Sequence, residues 1–216
     1  MKIGQFVRVE YTGMLENGEV FDTTDPKLME GATGPIVVIL GAGHLIKGVE
    51  KALLEMNVGE EREIEIEPED GFGRRDPKKI KLYPLSAFRK ERVNPVPGMR
   101  VTVDGQLGTV VSVTSGRVVV DFNHPLAGRR LRYKLKVLEV VKDPKEQIEG
   151  LLKFHFGRKM RYEVEGDRIR IYGVPEQVRD RLRTEIVTYT SFKNVEFLEE
   201  KGGVDEDHNQ SSSGEG

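Results

Sequence analysis

Apolar and polar positions alternate from the start of the chain. Val7, Val9 and Tyr11 interleave with Arg8 and Glu10, the period of a half-buried strand. Asn17-Gly18 is a tight-turn pair, and Val20 and Phe21 open a second extended run that leads into Asp22. A hairpin over 6–24 therefore sets Tyr11 near Phe21 and Asp22. Residues 36–40 read as a short buried strand, broken by Gly41-Ala42-Gly43. Val49, Ala52, Leu53 and Met56 fall at i, i+3, i+4 and i+7, one face of a single helix that Asn57 and Gly59 can end. Over 62–67, Ile64 and Ile66 alternate with Glu63, Glu65 and Glu67, a strand with one acidic, solvated face. A turn follows at 68–73 and carries Phe72.

A basic stretch at 74–81 contains Pro77 and reads as a boundary. Beyond it, 84–92 is a short helix candidate. Strands are expected at 100–103, 109–114 and 117–122, with turns at Asp104-Gly105 and Ser115-Gly116. This β-rich segment of about 45 residues buries little core at that size. Over 131–141, Leu131, Tyr133, Leu135 and Val137 alternate with Arg132, Lys134 and Lys136, a strand that rejoins the first sheet. Asp143 then suits an N-cap and Pro144 the first helical position. Ile148, Leu151, Leu152 and His155 share the face of that helix, and Gly157 stops it. A hairpin about Gly166-Asp167, a helix over 175–189 and a last strand over 192–198 complete an αββαβ unit. Residues 202–216 are polar and rich in Ser and Gly, and are expected to be disordered.

Composition narrows the function. The 216 residues contain no Cys, which excludes disulfides, thiol catalysis and thiolate zinc sites. The formal net charge is −2, so no global attraction to nucleic acid or anionic membrane is implied. The start, Met1-Lys2-Ile3-Gly4, runs directly into the strand pattern without the apolar region of a signal peptide, and no apolar run approaches the ~20 residues that span a bilayer. A cytoplasmic protein is expected. The glycines at 41–43 match neither a phosphate loop nor a dinucleotide fingerprint.

An aromatic wall with one carboxylate suits a mostly apolar pocket that fixes its ligand through few polar groups; an ordinary hairpin with core aromatics is the plain alternative. The motif YTGMLENGEVFDTT resembles the signature hairpin of the FKBP family of peptidyl-prolyl cis/trans isomerases. GPIVVILGAGHLIKGVEKAL, EPEDGFG and LRYKLKVLEVV follow in the family's order, and a long insertion ends in VDFNHPLAG. The layout over residues 1–141 is similar to SlyD-like, long archaeal-type FKBPs, which carry a chaperone domain in the flap. The resemblance implies an α+β fold: an antiparallel sheet wrapped on a short central helix, with a small inserted β-rich domain and a C-terminal αββαβ domain. The expected domains are 1–77 with 123–142 (isomerase), 78–122 (inserted chaperone domain), 143–200 (C-terminal) and 201–216 (disordered tail).

Carried over residue by residue, the resemblance implies catalytic roles for Tyr11, Asp22, Ile46, Phe72 and Tyr133, the Ile46 N–H taking a substrate carbonyl. Phe21, Ile36, Leu45, Val49 and Leu126 would bind substrate. Val49 stands where many members have Trp, Phe72 where Tyr is usual and Tyr133 where Phe is usual, so tight macrolide binding is in doubt more than isomerisation. Rotation about an X-Pro bond faces a barrier of ~18–20 kcal/mol because it breaks amide resonance. The twisted amide is less polar than the planar one, so an apolar pocket favours it without any acid–base group. No cofactor is implied, and with His44, His124 and His155 scattered and only His208 in the tail, no metal role is assigned.

The expected partners are unfolded or proline-containing polypeptides, held by an apolar face of the insert comprising Tyr83, Leu85, Phe88, Val93, Val96 and Met99. A homodimer through the C-terminal domain, with Phe192, Val195 and Phe197 at the contact, is a further expectation. No membrane partner is implied, and nucleic acid is not the expected ligand. Two alternatives stand beside the isomerase: a peptide-holding chaperone with a weak isomerase pocket, and a ribosome- or RNA-associated module. The last draws on the short-strand pattern of the insert and on Arg158, Lys159, Arg161, Arg168, Arg170, Arg179, Arg181 and Arg183.

Overall fold

A computed structural model describes residues 1–200. The expected disordered tail, 201–216, lies outside the described residues. The chain falls into two compact units, Met1–Val141 and a second that begins at Lys142.

In the first unit, β1 (Phe6–Leu15) is the strand on which the sheet is built, because its ten residues are long enough to pair with more than one strand. It pairs antiparallel with β2 (Val20–Thr23), with β3 (Ile36–Ile39), and on its other side with β9 (Leu131–Val140), which in turn pairs with β4 (Glu61–Ile66). The apolar phase of each strand faces one core: Val7, Val9, Val37, Ile39, Leu131, Leu135 and Val137 are all buried. Helix α1 (Lys47–Glu55) packs on β4 and β9 and buries Val49, Ala52 and Leu53, the predicted face. The acidic face of β4 meets a basic ladder on β9. Glu61 pairs with Lys136 at 2.6 Å and Glu63 pairs with Arg132, cross-strand contacts that are exposed and worth little each.

Residues 78–122 form a second antiparallel sheet in the order β5 (Ile80–Pro84), β8 (Arg117–Asp121), β7 (Gln106–Thr114) and β6 (Arg100–Val103), with helix α2 (Leu85–Lys90) after β5. Strand β5 was not expected: its Lys-Ile-Lys-Leu-Tyr run reads as basic linker, and as an edge strand it keeps Ile80, Lys81 and Leu82 exposed. The core of this sheet is Phe88, Val101, Val110, Val118 and Val120, with Tyr83, Leu85, Val93 and Phe122 packed against it.

That packing corrects the expected client-holding face. Phe88 is only 7% exposed, and Tyr83, Leu85 and Val93 are half-buried around it. A unit this small has few large side chains, and it uses them for its own core. Of the six residues, Val96 and Met99 are exposed, at 53% and 36%. The sequence expectation missed further exposed apolar residues of the insert, Ile80, Leu82, Leu107 and Val111.

The second unit runs α3 (Pro144–Phe156), β10 (Tyr162–Glu165), β11 (Arg168–Tyr172), α4 (Glu176–Tyr189) and β12 (Asn194–Leu198). Asp143 caps α3 by accepting from the Lys145 and Glu146 N–H groups, and Gly157 ends it at φ 67°, a left-handed conformation that glycine adopts without strain. β10 and β11 are antiparallel, whereas β11 and β12 are parallel and need the α4 crossover to join them. Ile148, Leu151, Leu152, Ile169, Ile171, Leu182 and Ile186 are its buried apolar residues. His155, on the apolar face of α3, bonds Glu185 of α4 at 2.6 Å, and Arg181 donates to the same carboxylate at 3.0 Å. Phe192, expected on an exposed strand, precedes β12 and is 3% exposed, so it serves the core of its own unit and not a contact between copies. Among the described residues no helix is long and apolar enough to cross a membrane.

Candidate functional site

The hairpin carries out the local part of the sequence expectation. Thr12 and Gly13 on β1 face Thr23 and Asp22 on β2, which brings the Tyr11 phenol to the Asp22 carboxylate. Its Oη donates to Asp22 Oδ2 at 2.9 Å. Two threonines fix the backbone behind it. Thr24 Oγ1 accepts from the Tyr11 N–H at 3.0 Å, and Thr23 Oγ1 donates to the Tyr11 carbonyl at 3.1 Å. Both are about 5% exposed and buried polar groups need such partners, so the cluster is a structural support that the sequence reading missed.

The other rings close around this pair. Tyr133, on β9, lies 6.1 Å from Tyr11 and 5.8 Å from Phe21, edge-on to the latter. Phe72, in the segment after the short 3-10 turn Pro68–Asp70, meets Phe21 edge-on at 6.3 Å. Edge-to-face and tilted packing at these separations adds to burial and holds each ring in one orientation. The rings close over Gly13: a Cβ there would stand 2.8 Å from Phe21 Cζ and 2.9 Å from Tyr133 Cζ, so only glycine fits.

Burial, and then the Asp22 charge, pushes both phenols, Tyr11 and Tyr133, well above the ordinary tyrosine range. Both therefore stay protonated at neutral pH, and the Tyr11 phenol serves as a hydrogen-bond donor to Asp22, not as a base. Asp22 remains exposed at the rim.

The remaining expected residues join less closely. Ile36 reaches the site by pairing with Val9, two residues from Tyr11. Leu45 and Ile46 are half-buried just before α1, and among the described residues nothing accepts from the Ile46 N–H. Val49 is 1% exposed, beneath the surface and not lining it. Leu126 is half-buried in the return segment, where its N–H donates to His124 Nδ1 at 3.1 Å. His124 was not singled out from sequence, yet its ring stacks on Phe72 at 4.2 Å and 1°. A recess of about 600 Å³ on the charged side of the sheet includes Tyr11 in its lining, with Pro26 and Pro35 beside Glu10, Asp25, Glu61, Glu63 and Lys134. Its charged side chains make it more polar than the aromatic cluster.

The family profile described as FKBP-type peptidyl-prolyl cis-trans isomerase matches residues 1–87, and the profile described as FKBP26, IF domain, matches residues 81–126. The short-type peptidyl-prolyl cis-trans isomerase of Methanocaldococcus jannaschii is 37% identical over 149 residues, covering 65% of this chain and 94% of that protein. The chain belongs to the FKBP-type peptidyl-prolyl cis-trans isomerases. A probable FKBP-type 16 kDa isomerase of Pseudomonas fluorescens is 31% identical over 146 residues, 64% of this chain and 92% of that protein. The SlyD isomerase of Helicobacter pylori is 36% identical over 119 residues, 53% of this chain and 63% of that one. As an FKBP-type isomerase the chain acts on proline-containing polypeptides.

Some of the basic residues on which the RNA-associated alternative draws are paired within the second unit. Arg161 pairs with Glu163 at 2.8 Å, Arg170 with Glu165 and Glu196 at 3.2 Å each, and Arg181 with Glu185 at 3.0 Å. Phosphates would have to displace these carboxylates.

Proposed function

We propose that the chain isomerises X-Pro bonds of unfolded polypeptides at the cluster formed by Tyr11, Phe21, Asp22, Phe72 and Tyr133, and that residues 78–122 hold the client while it does so. The observation that supports the site is the mutual ordering of four aromatic side chains around one hydrogen-bonded phenol–carboxylate pair. Such a wall accepts the proline ring. The Ile46 N–H, at the entry to α1 and without an acceptor among the described residues, takes the carbonyl of the substrate in this reading. Lowering the rotation barrier by ~6 kcal/mol, mostly by giving the less polar twisted amide an apolar surrounding, yields roughly 10⁴-fold acceleration. Asp22→Ala with Phe72→Ala lowers the catalysed rate of a proline-limited refolding reaction at least about tenfold, with near-native circular dichroism. Unchanged turnover in the folded double variant removes the site assignment.

Client holding is supported by what the insert leaves uncovered. Leu82 on β5 and Leu107 and Val111 on β7 are 57%, 53% and 46% exposed. Leu82 neighbours Tyr83 and Leu107 neighbours the buried Gly108, so strand alternation turns both away from the core, and Val111 is the extra residue of a β-bulge between Val110 and Ser112. Near α2 and β6, Val93, Met99 and Val101 line a groove of about 490 Å³ over Phe88. Exposed apolar surface of this kind, with an adaptable Met at its edge, suits unfolded chains of varied sequence.

For the second unit the proposed role is self-association. β10 and β12 are the edges of its three-stranded sheet, and Val164 on β10 is 39% exposed. Sedimentation equilibrium of the full chain at tens of micromolar, roughly the range of weak dimers, should show a dimer; a monomer contradicts this role.

A further inference from the structure

Three of the four wall rings ride on strands, β1, β2 and β9, whose backbone ladders fix them. Phe72 does not. It sits between Gly71 and Gly73 in an irregular segment, and flanking glycines leave the backbone more freedom than any other residue would. Its orientation has to come from contacts. One is the edge-on approach to Phe21 at 6.3 Å. The other is the parallel stack of His124 at 4.2 Å and 1°.

His124 is itself well anchored. Its Nδ1 accepts from the Leu126 N–H at 3.1 Å, and its carbonyl accepts from the Ala127 N–H at 2.9 Å. The Gly128 N–H then donates to the Gly73 carbonyl at 2.8 Å, which ties the His124 segment to the Phe72 segment. On the other flank Asn123 clasps Asp76 at two points: its Oδ1 accepts from the Asp76 N–H at 2.8 Å, and its Nδ2 donates to the Asp76 carbonyl at 3.0 Å. His124 also lines an open cleft of about 310 Å³ with Arg75, Thr109 and Asp121.

We propose that His124 is a positioning residue of the isomerase: by stacking on Phe72 it holds that ring as a fixed wall for the substrate proline. The proposal rests on the assignment of Phe72 to the pocket made above. The role proposed for the imidazole is geometric and not proton transfer: its Nδ1 accepts from the Leu126 N–H and its face lies on Phe72. What it contributes is a plane, and a plane can be supplied by another ring.

The test uses the full chain and kcat/KM for a short X-Pro peptide, with thermal unfolding followed for each variant. His124→Ala lowers kcat/KM about fivefold, the order expected for losing one well-packed aromatic contact. His124→Phe keeps the plane but loses the Leu126 hydrogen bond, and restores activity to within about twofold of the parent. In a Phe72→Ala background, His124→Ala has no further effect, because the two act as one unit. Full activity in His124→Ala, no rescue by His124→Phe, or a second fivefold loss on top of Phe72→Ala each overturns the proposal. An impaired Phe72→Ala with an unimpaired His124→Ala removes His124 alone. A fully active Phe72→Ala removes the pocket assignment and His124 with it.

Discussion

The aromatic cluster of the first sheet and the apolar surface of the insert use similar residues to opposite ends. In the cluster, Tyr11, Phe21, Phe72 and Tyr133 each touch another ring, and Thr23, Thr24 and Gly13 fix the backbone from behind. In the insert, Phe88 and Tyr83 are drawn into a small core, which leaves Leu82, Leu107 and Val111 facing water. A transition state has one shape, so its site gains from rings that are already in place. Unfolded clients have no common shape, so a holding surface gains from apolar area that no neighbour has claimed. The difference lies in how many partners each side chain already has, and composition does not reveal it.

Replacing residues 78–122 by a short loop breaks the comparison most severely. The ends of the insert lie together: the Phe122 N–H donates to the Lys79 carbonyl at 2.9 Å and Ile80 pairs with Asp121, so a short closure is feasible. Catalysis of protein refolding falls about a hundredfold, the scale of lost effective concentration, while isomerisation of a tetrapeptide stays within about threefold. Equal losses on both substrates would mean that the insert only supports the pocket.

A finer division runs within the insert. Leu82→Ser with Val111→Ser weakens client holding about tenfold and changes stability by less than about 0.5 kcal/mol, because both side chains are exposed. Phe88→Ala, by contrast, removes the largest core side chain and destabilises this sheet by about 3–5 kcal/mol. Urea unfolding and a light-scattering assay of client aggregation separate the two effects.

In the pocket, Gly13→Ala forces Phe21 or Tyr133 aside and costs about 1–3 kcal/mol of stability together with a severalfold loss of kcat/KM. The smallest expected effect is that of pH. Burial and the Asp22 charge raise both phenols above their ordinary value of about 10, so both stay protonated and the Tyr11–Asp22 bond persists as pH rises through 10. The pH profile of kcat/KM should be flat from 7 to 10; a decline centred near 10 would show a phenol titrating as if it were exposed.

The cluster was largely legible in the sequence because its key contact is local. Tyr11 and Asp22 belong to one hairpin, and alternation plus Asn17-Gly18 sets their approach. Alternation put Tyr133 on the inward phase of β9, but its place in the site came only from the family resemblance. His124 was not found: nothing in its neighbourhood signals a stack with a ring from a distant segment. β5 was hidden because an edge strand with lysines on it carries no apolar alternation strong enough to distinguish it from linker. Phe88 was misplaced for a different reason. Helix periodicity shows which residues share a face, but not whether a 45-residue unit can spare that face from its own core.

The division of labour is tested most directly by amide chemical-shift mapping on the full chain with two ligands in turn. A short X-Pro peptide should perturb Ile46, Phe72, Tyr133 and their neighbours and leave the insert unmoved. A permanently unfolded protein should perturb those same residues and, in addition, Leu82, Leu107, Val111 and Met99. Peptide-induced shifts confined to the insert, or an unfolded client that perturbs the pocket alone, would contradict the account.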